Sequence, residues 1–171
     1  MVTAWNPGAD RVVRAIVPSA GSSVYVGGSF ATAGAAPRAN LAAIDAASGL
    51  ATAWNPGAND LVAALALVND TLFAGGRFTQ LAGAARNHAG AVDATTGALA
   101  AWDPNADDTV VAFSVSGSQL YMGGQFLHVG GRVRLHAAAV DVSTGGLTPW
   151  HPALNDPVRA IHAAAGRVAL G

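Results

Sequence analysis

A pair of adjacent glycines returns along this chain at a fixed interval, and that interval constrains the fold more than any other feature. The pairs Gly27–Gly28, Gly75–Gly76 and Gly123–Gly124 stand inside the stretches "VYVGGSF", "LFAGGRF" and "LYMGGQF", and the first glycine of each is 48 residues from the next, as Gly171 is from Gly123. Other residues keep the same beat: Trp5, Trp54, Trp102 and Trp150; Val13, Val62, Val110 and Val158; Arg38, Arg86 and Arg134; Asp45, Asp93 and Asp141. The steps from Trp5 to Trp54 and from Val13 to Val62 are 49, and the extra residue falls in "PSAGSS" at 18–23. A surface turn is where an insertion is tolerated. Self-similarity at this spacing marks a stacked array, in which one unit buries its apolar face against its copies.

One period holds four strand candidates, A to D, at 61–68 "LVAALALV", 71–78 "TLFAGGRF", 88–94 "HAGAVDA" and 98–103 "ALAAWD". Asn69–Asp70 is a tight A–B turn, the B–C link reads as a loose Gly/Ala-rich loop, and "DATTG" joins C to D. The many alanines favour helix. No ten-residue stretch, however, escapes a glycine, proline, asparagine or aspartate, and that punctuation outweighs the propensity. Val24, Val26 and Phe30 share one side of strand B and Tyr25 takes the other, so both faces are apolar. Four short antiparallel strands per repeat, packed on both faces, predict an all-β chain of β-propeller blades. The expected divisions of a single partial propeller over 1–171 are a lone D strand at 1–8, blades at 9–56, 57–104 and 105–152, and half a blade at 153–171. That is about three and a half blades.

Composition narrows the function. About half the residues, 51%, are apolar and 11% are charged, with a formal net charge of −1. All nine cations are arginine and there is no basic stripe to follow a phosphate backbone, so nucleic acid is not an expected partner. There are no cysteines for disulfides or thiolate metal sites. Every apolar run is interrupted well short of the roughly 20 residues a membrane span requires, and "MVTAWNPGAD" lacks the basic start and apolar core of a leader peptide. Membrane insertion is not expected.

Each recurring residue reads as structure before chemistry. Asp45, Asp93 and Asp141, each followed by Ser or Thr and then Gly, suit a carboxylate that caps a C–D turn; "DAASG" has too few oxygen donors for calcium. A tryptophan repeated once per unit reads as packing on the next blade rather than as a sugar platform, and the glycine pairs would leave a flat strip of backbone on which that indole could lie. Arg38, Arg86 and Arg134 are expected to bond carbonyls or a repeat aspartate rather than an anion. Among His88, His128, His136, His151 and His162, the first and third share a repeat position filled by Asn40 in the first unit, a tolerant polar site and no zinc set. No phosphate-cradling loop and no serine-hydrolase motif is present. No catalytic residue, cofactor or metal site is expected.

The pattern "VGGxF…G…PR…LAAxDxxSGxxxxWNP" resembles a family of bacterial propeller repeats of unknown function found in large extracellular or cell-surface proteins, and is similar to repeats in fungal cortical marker proteins. "AIDAASGLATAW" at 43–54 and "AVDATTGALAAW" at 91–102 are also similar to the tryptophan-docking motif of quinoprotein dehydrogenases, with one residue more between Gly and Trp. The resemblance implies a secreted or surface scaffold and no catalytic residues.

The expected function is therefore a non-catalytic propeller module contacting protein or glycan, with a lectin-like carbohydrate binder and a fragment of a propeller enzyme as alternatives. Exposure of Trp54 and Trp102 separates the lectin from the scaffold. With its half blade the chain reads as a segment of a longer reading frame. The other outcome is self-association through the open blade edges, in which two copies make a ring whose composite blades lack strand C.

Overall fold

The computed structural model describes residues 5–171. The first four residues of the expected opening D segment lie outside the described residues. Among those described, every regular element is a strand and every pairing is antiparallel.

Strand A spans Val13–Pro18, Val62–Val68 and Val110–Ser116 in the first three repeats. Strand B spans Ser23–Gly28, Thr71–Gly76 and Gln119–Gly124, and strand C spans Leu41–Asp45, Ala89–Asp93 and Ala137–Asp141. Each repeat forms one sheet in the order A-B-C, and a fourth repeat contributes the hairpin Ile161–Ala164 with Arg167–Leu170. Each new strand A packs on strands A and B of the sheet before it. The sheets thus stand face to face with their A strands side by side, and the chain is a partial β-propeller.

Two features differ from the sequence reading. Strand D shrinks to single bridges, Ile44 with Ala51, Val92 with Leu99 and Val140 with Leu147. The chain bonds strand C only briefly, as where Thr52 N–H donates to Ala43 O at 2.9 Å, and then leaves the sheet to carry its tryptophan to the next repeat. The B–C link, in turn, is not loose. It forms a short ladder in each repeat, Thr32–Ala33 with Ala36–Pro37, Gln80–Leu81 with Ala84–Ala85, and His128–Val129 with Arg132–Val133. The two tip residues have positive φ: Gly34 and Ala35, Ala82 and Gly83, Gly130 and Gly131. That backbone matches the twist of a tight hairpin, which an Ala/Gly sequence does not announce.

Among the described residues the core forms three clusters. Val26, Phe30 and Ile44 pack with Trp5 on the leading face of the first sheet. Tyr25, Trp54, Val62, Leu72 and Phe78 fill the space between the first and second sheets, and Phe73, Trp102, Val110, Met122 and Phe126 the space between the second and third. Tyr25 and Val26 point to opposite sides, as the alternation of a strand demands.

Candidate functional site

The glycine pairs occupy the junction between repeats, and the two members have different neighbours. A methyl group at Gly27 would lie 2.6 Å from Val62 Cγ1, one at Gly75 2.9 Å from Val110 Cγ1 and Phe113 Cζ, and one at Gly123 2.6 Å from Val158 Cγ1. The first glycine is therefore the seat of a valine from the next sheet. The indole expected on this strip is elsewhere, because strand A of the next sheet reaches the strip first. The second glycine makes room within its own sheet: a side chain at Gly28, Gly76 or Gly124 would collide with the carbonyl of Val12, Leu61 or Thr109. Each of those carbonyls accepts a 2.9 Å bond from the residue after the pair, Ser29, Arg77 or Gln125. A register shift in strand A, between Val13 and Ala15, Val62 and Ala64, and Val110 and Ala112, lies opposite the glycines. It is a β-bulge.

The tryptophans pin successive repeats together. Trp54 Nε1 donates to Asp93 O at 3.0 Å in the next C–D turn, and its ring meets Tyr25 edge-on at 5.1 Å. Tyr25 Oη donates to Ala94 O of the same turn at 2.6 Å, and burial pushes its pKa up. Trp5 Nε1 donates likewise to Asp45 O at 3.3 Å. Trp102 and Trp150 stand edge-on to Phe73 and Tyr121, each at 5.0 Å. Trp54 and Trp102 are only 7% and 5% exposed, so neither presents a ring face to a sugar.

The aspartates close the C–D turns. Asp45 Oδ1 accepts from Ser48 N–H and Ser48 Oγ, both at 2.7 Å; Asp93 accepts from Thr96 N–H at 2.6 Å; Asp141 accepts from Ser143 Oγ at 2.5 Å and Thr144 N–H at 2.9 Å. These bonds stabilise the ionised form and lower all three pKa values, that of Asp141 to about 2 through the Ser143 hydroxyl above all. The arginines are clamps. Arg86 donates to Ala85 O at 2.8 Å and Ala100 O at 3.0 Å, with the Asp103 carboxylate 3.6 Å away. Arg134 bridges Val133 O and Thr148 O, and Arg38 bridges Pro37 O and Thr52 O. Each ties the B–C hairpin to segment D.

Sequence reasoning missed a fifth recurring device. Asp10 Oδ1 accepts from Ala31 and Thr32 N–H, Asn59 Oδ1 from Thr79 and Gln80 N–H, and Asp107 Oδ1 from Leu127 and His128 N–H, at 2.9–3.0 Å. These staples fasten each B–C hairpin to the loop that precedes strand A. The 48–49-residue spacing of the three residues was the available signal. His128 Nδ1 lies 2.8 Å from Asp107 Oδ2 rather than pairing with His136. Burial opposes ionisation of Asp107, but the His128 N–H and imidazole prevail and hold its pKa below the ordinary value. Among the described residues, no three His, Cys, Asp or Glu side chains gather as metal ligands.

Since the recurring polar groups bind backbone, the candidate surface is what remains exposed where the stapled hairpins stand. A cleft of about 680 Å³ opens between the first and second repeats, lined by Arg11, Phe30, Asn55, Pro56 and Arg77 among others. Arg77 is paired with Asp60 at 3.2 Å, while Arg11 and Asn55 are exposed. On the third hairpin the apolar side chains of Leu127 and Val133 face solvent. A second hollow of about 540 Å³ follows the A strands and bears Arg14 and Arg159.

No family model matches the chain, and no curated protein matches it. Solved structures do resemble it. The computationally designed Ika4 protein aligns with a TM-score of 0.67 at 16% identity over 96% of this chain and 87% of that one. The WD40 repeats of RRP9 align with a TM-score of 0.64 at 16% identity, over 91% of this chain and 43% of theirs. The extracellular domain of a putative hybrid two component system from B. thetaiotaomicron aligns with a TM-score of 0.59 at 13% identity, over 94% of this chain and 19% of that one. The chain thus spans less than half the length of the WD40 protein. At these identities the likeness is one of fold.

Proposed function

We propose that this chain is a non-catalytic propeller scaffold within a secreted or cell-surface protein, and that its partner is another protein bound by the row of B–C hairpins. The observation that carries this reading is the pair Leu127 and Val133, two aliphatic side chains held in solvent on a hairpin that Asp107 and Arg134 fasten at both sides. Exposed aliphatic side chains on a fastened hairpin suit a protein surface better than a sugar, which is recognised through polar groups and aromatic faces. The cleft between the first and second repeats, with Arg11 and Asn55, offers polar groups farther along the same row of repeats. The lectin reading loses its strongest support with the burial of Trp54 and Trp102.

Selection of binders from a displayed random-peptide library, run beside a glycan array, tests this. Peptides whose binding is lost in the Leu127→Asp, Val133→Asp double variant support the proposal. Binding confined to glycans, or peptides indifferent to both substitutions, refutes it.

A further inference from the structure

We propose that two copies of this chain close on each other head to tail, the first strand A of each packing on the fourth hairpin of the other. This inference is independent of the hairpin-surface reading, since it uses the faces at the two ends of the array.

At every internal junction the same knob meets the same seat. The knob is a valine at the start of strand A or just before it: Val62, Val110 or Val158. The seat is an alanine and a glycine directly opposite each other on strands A and B of the preceding sheet: Ala15 and Gly27, Ala64 and Gly75, Ala112 and Gly123. Two parts of this scheme are left over. Val13, in the knob position, is 36% exposed, and Ile16 beside it is 61% exposed although Leu65 at the same repeat position is buried. At the other end Ala160 and Gly171 are joined by reciprocal backbone bonds of 2.9 and 3.0 Å and form a seat of the same composition, with both residues exposed.

The unmatched knob and seat belong to opposite ends of one array, so a second copy presents to each what an internal repeat would present. Contact of this kind is heterologous, and it ends in a ring when the rotation closes. The absent fourth strand C was the sequence-level objection to such a ring. Internal junctions weaken it, because strand A packs on strands A and B of the sheet before it, and the fourth repeat supplies both. Each copy brings four A strands, at Val13–Pro18, Val62–Val68, Val110–Ser116 and Ile161–Ala164. Two copies therefore bring eight, within the range of about 4 to 8 blades that close a propeller.

Sedimentation velocity on the unmodified chain across the micromolar range is expected to show one species of twice the chain mass. Val13→Asp puts a charge on the knob and Ala160→Arg a bulky cation in the seat; both positions face solvent in a single copy, so each variant should keep the circular dichroism of the parent and lose the dimer. An equal mixture of the two variants should recover it, because one junction is then unaltered and the other sets the introduced carboxylate against the introduced guanidinium. A monomeric parent chain, open-ended growth with concentration, dimers unaffected by either variant, or a mixture that stays monomeric would each overturn the proposal.

Discussion

A methyl group distinguishes the two glycines of each pair. At Gly75 it would press on the ends of Phe113 and Val110, which can yield slightly; at Gly76 it would press on the Leu61 carbonyl, which is fixed by its bond to Arg77 N–H. Gly76→Ala is accordingly expected to cost about 3 kcal/mol or more and Gly75→Ala about 1 to 2 kcal/mol, at the two ends of the overpacking range, and urea titration of both variants measures the gap. The aspartate caps make an acid limit. Because the folded pKa of Asp141 is near 2 against an ordinary 3.8, its contribution is complete above the ordinary value and is lost as pH falls through that window. Melting temperatures recorded from pH 5 to pH 2 should fall less steeply for Asp141→Asn than for the parent. A flat parent curve would show that the caps carry no weight.

Elements here are held by short polar devices more than by length. At the tip of the first B–C hairpin Ala35 is exposed and has φ 61°, a left-handed conformation that an L-residue with a side chain adopts at a cost of about 1 to 2 kcal/mol. Ala35→Gly should therefore raise stability, by about 1 kcal/mol once the extra freedom of the unfolded glycine is subtracted, and thermal unfolding reads the sign. Trp54 joins two sheets, and Trp54→Ala should cost about 3 to 5 kcal/mol, the usual range for removing a large buried aromatic. Spacing made the tryptophans, aspartates and arginines legible as structural residues in the sequence, because residues that recur together serve the repeat. What spacing cannot reveal is the neighbour. The partner of Gly27 is Val62, 35 residues on, and only the register shift in strand A shows why a second glycine must follow. The same holds for positions 40, 88 and 136, read as a tolerant polar site: Asn40, His88 and His136 all have φ of 60–64°, a left-handed backbone in which asparagine and histidine are enriched.

Over the whole molecule, stability is a chain of nearest-neighbour junctions. The second sheet is covered on both faces, whereas among the described residues the first leaves Val13 and Ile16 exposed and the fourth repeat is a hairpin. Hydrogen exchange at a concentration where the chain is monomeric should be slowest in Thr71–Gly76 and Ala89–Asp93 and fastest in Arg167–Leu170. Uniform protection across all four repeats would mean that the array opens as one cooperative unit.

The valine on its glycine has a consequence for how such a protein changes over generations. Since every boundary uses the same pair of surfaces, in-frame duplication or loss of one period, for example residues 57–104, creates no boundary that is not already present. Recombination between such copies can therefore change the number of units without requiring a new interface.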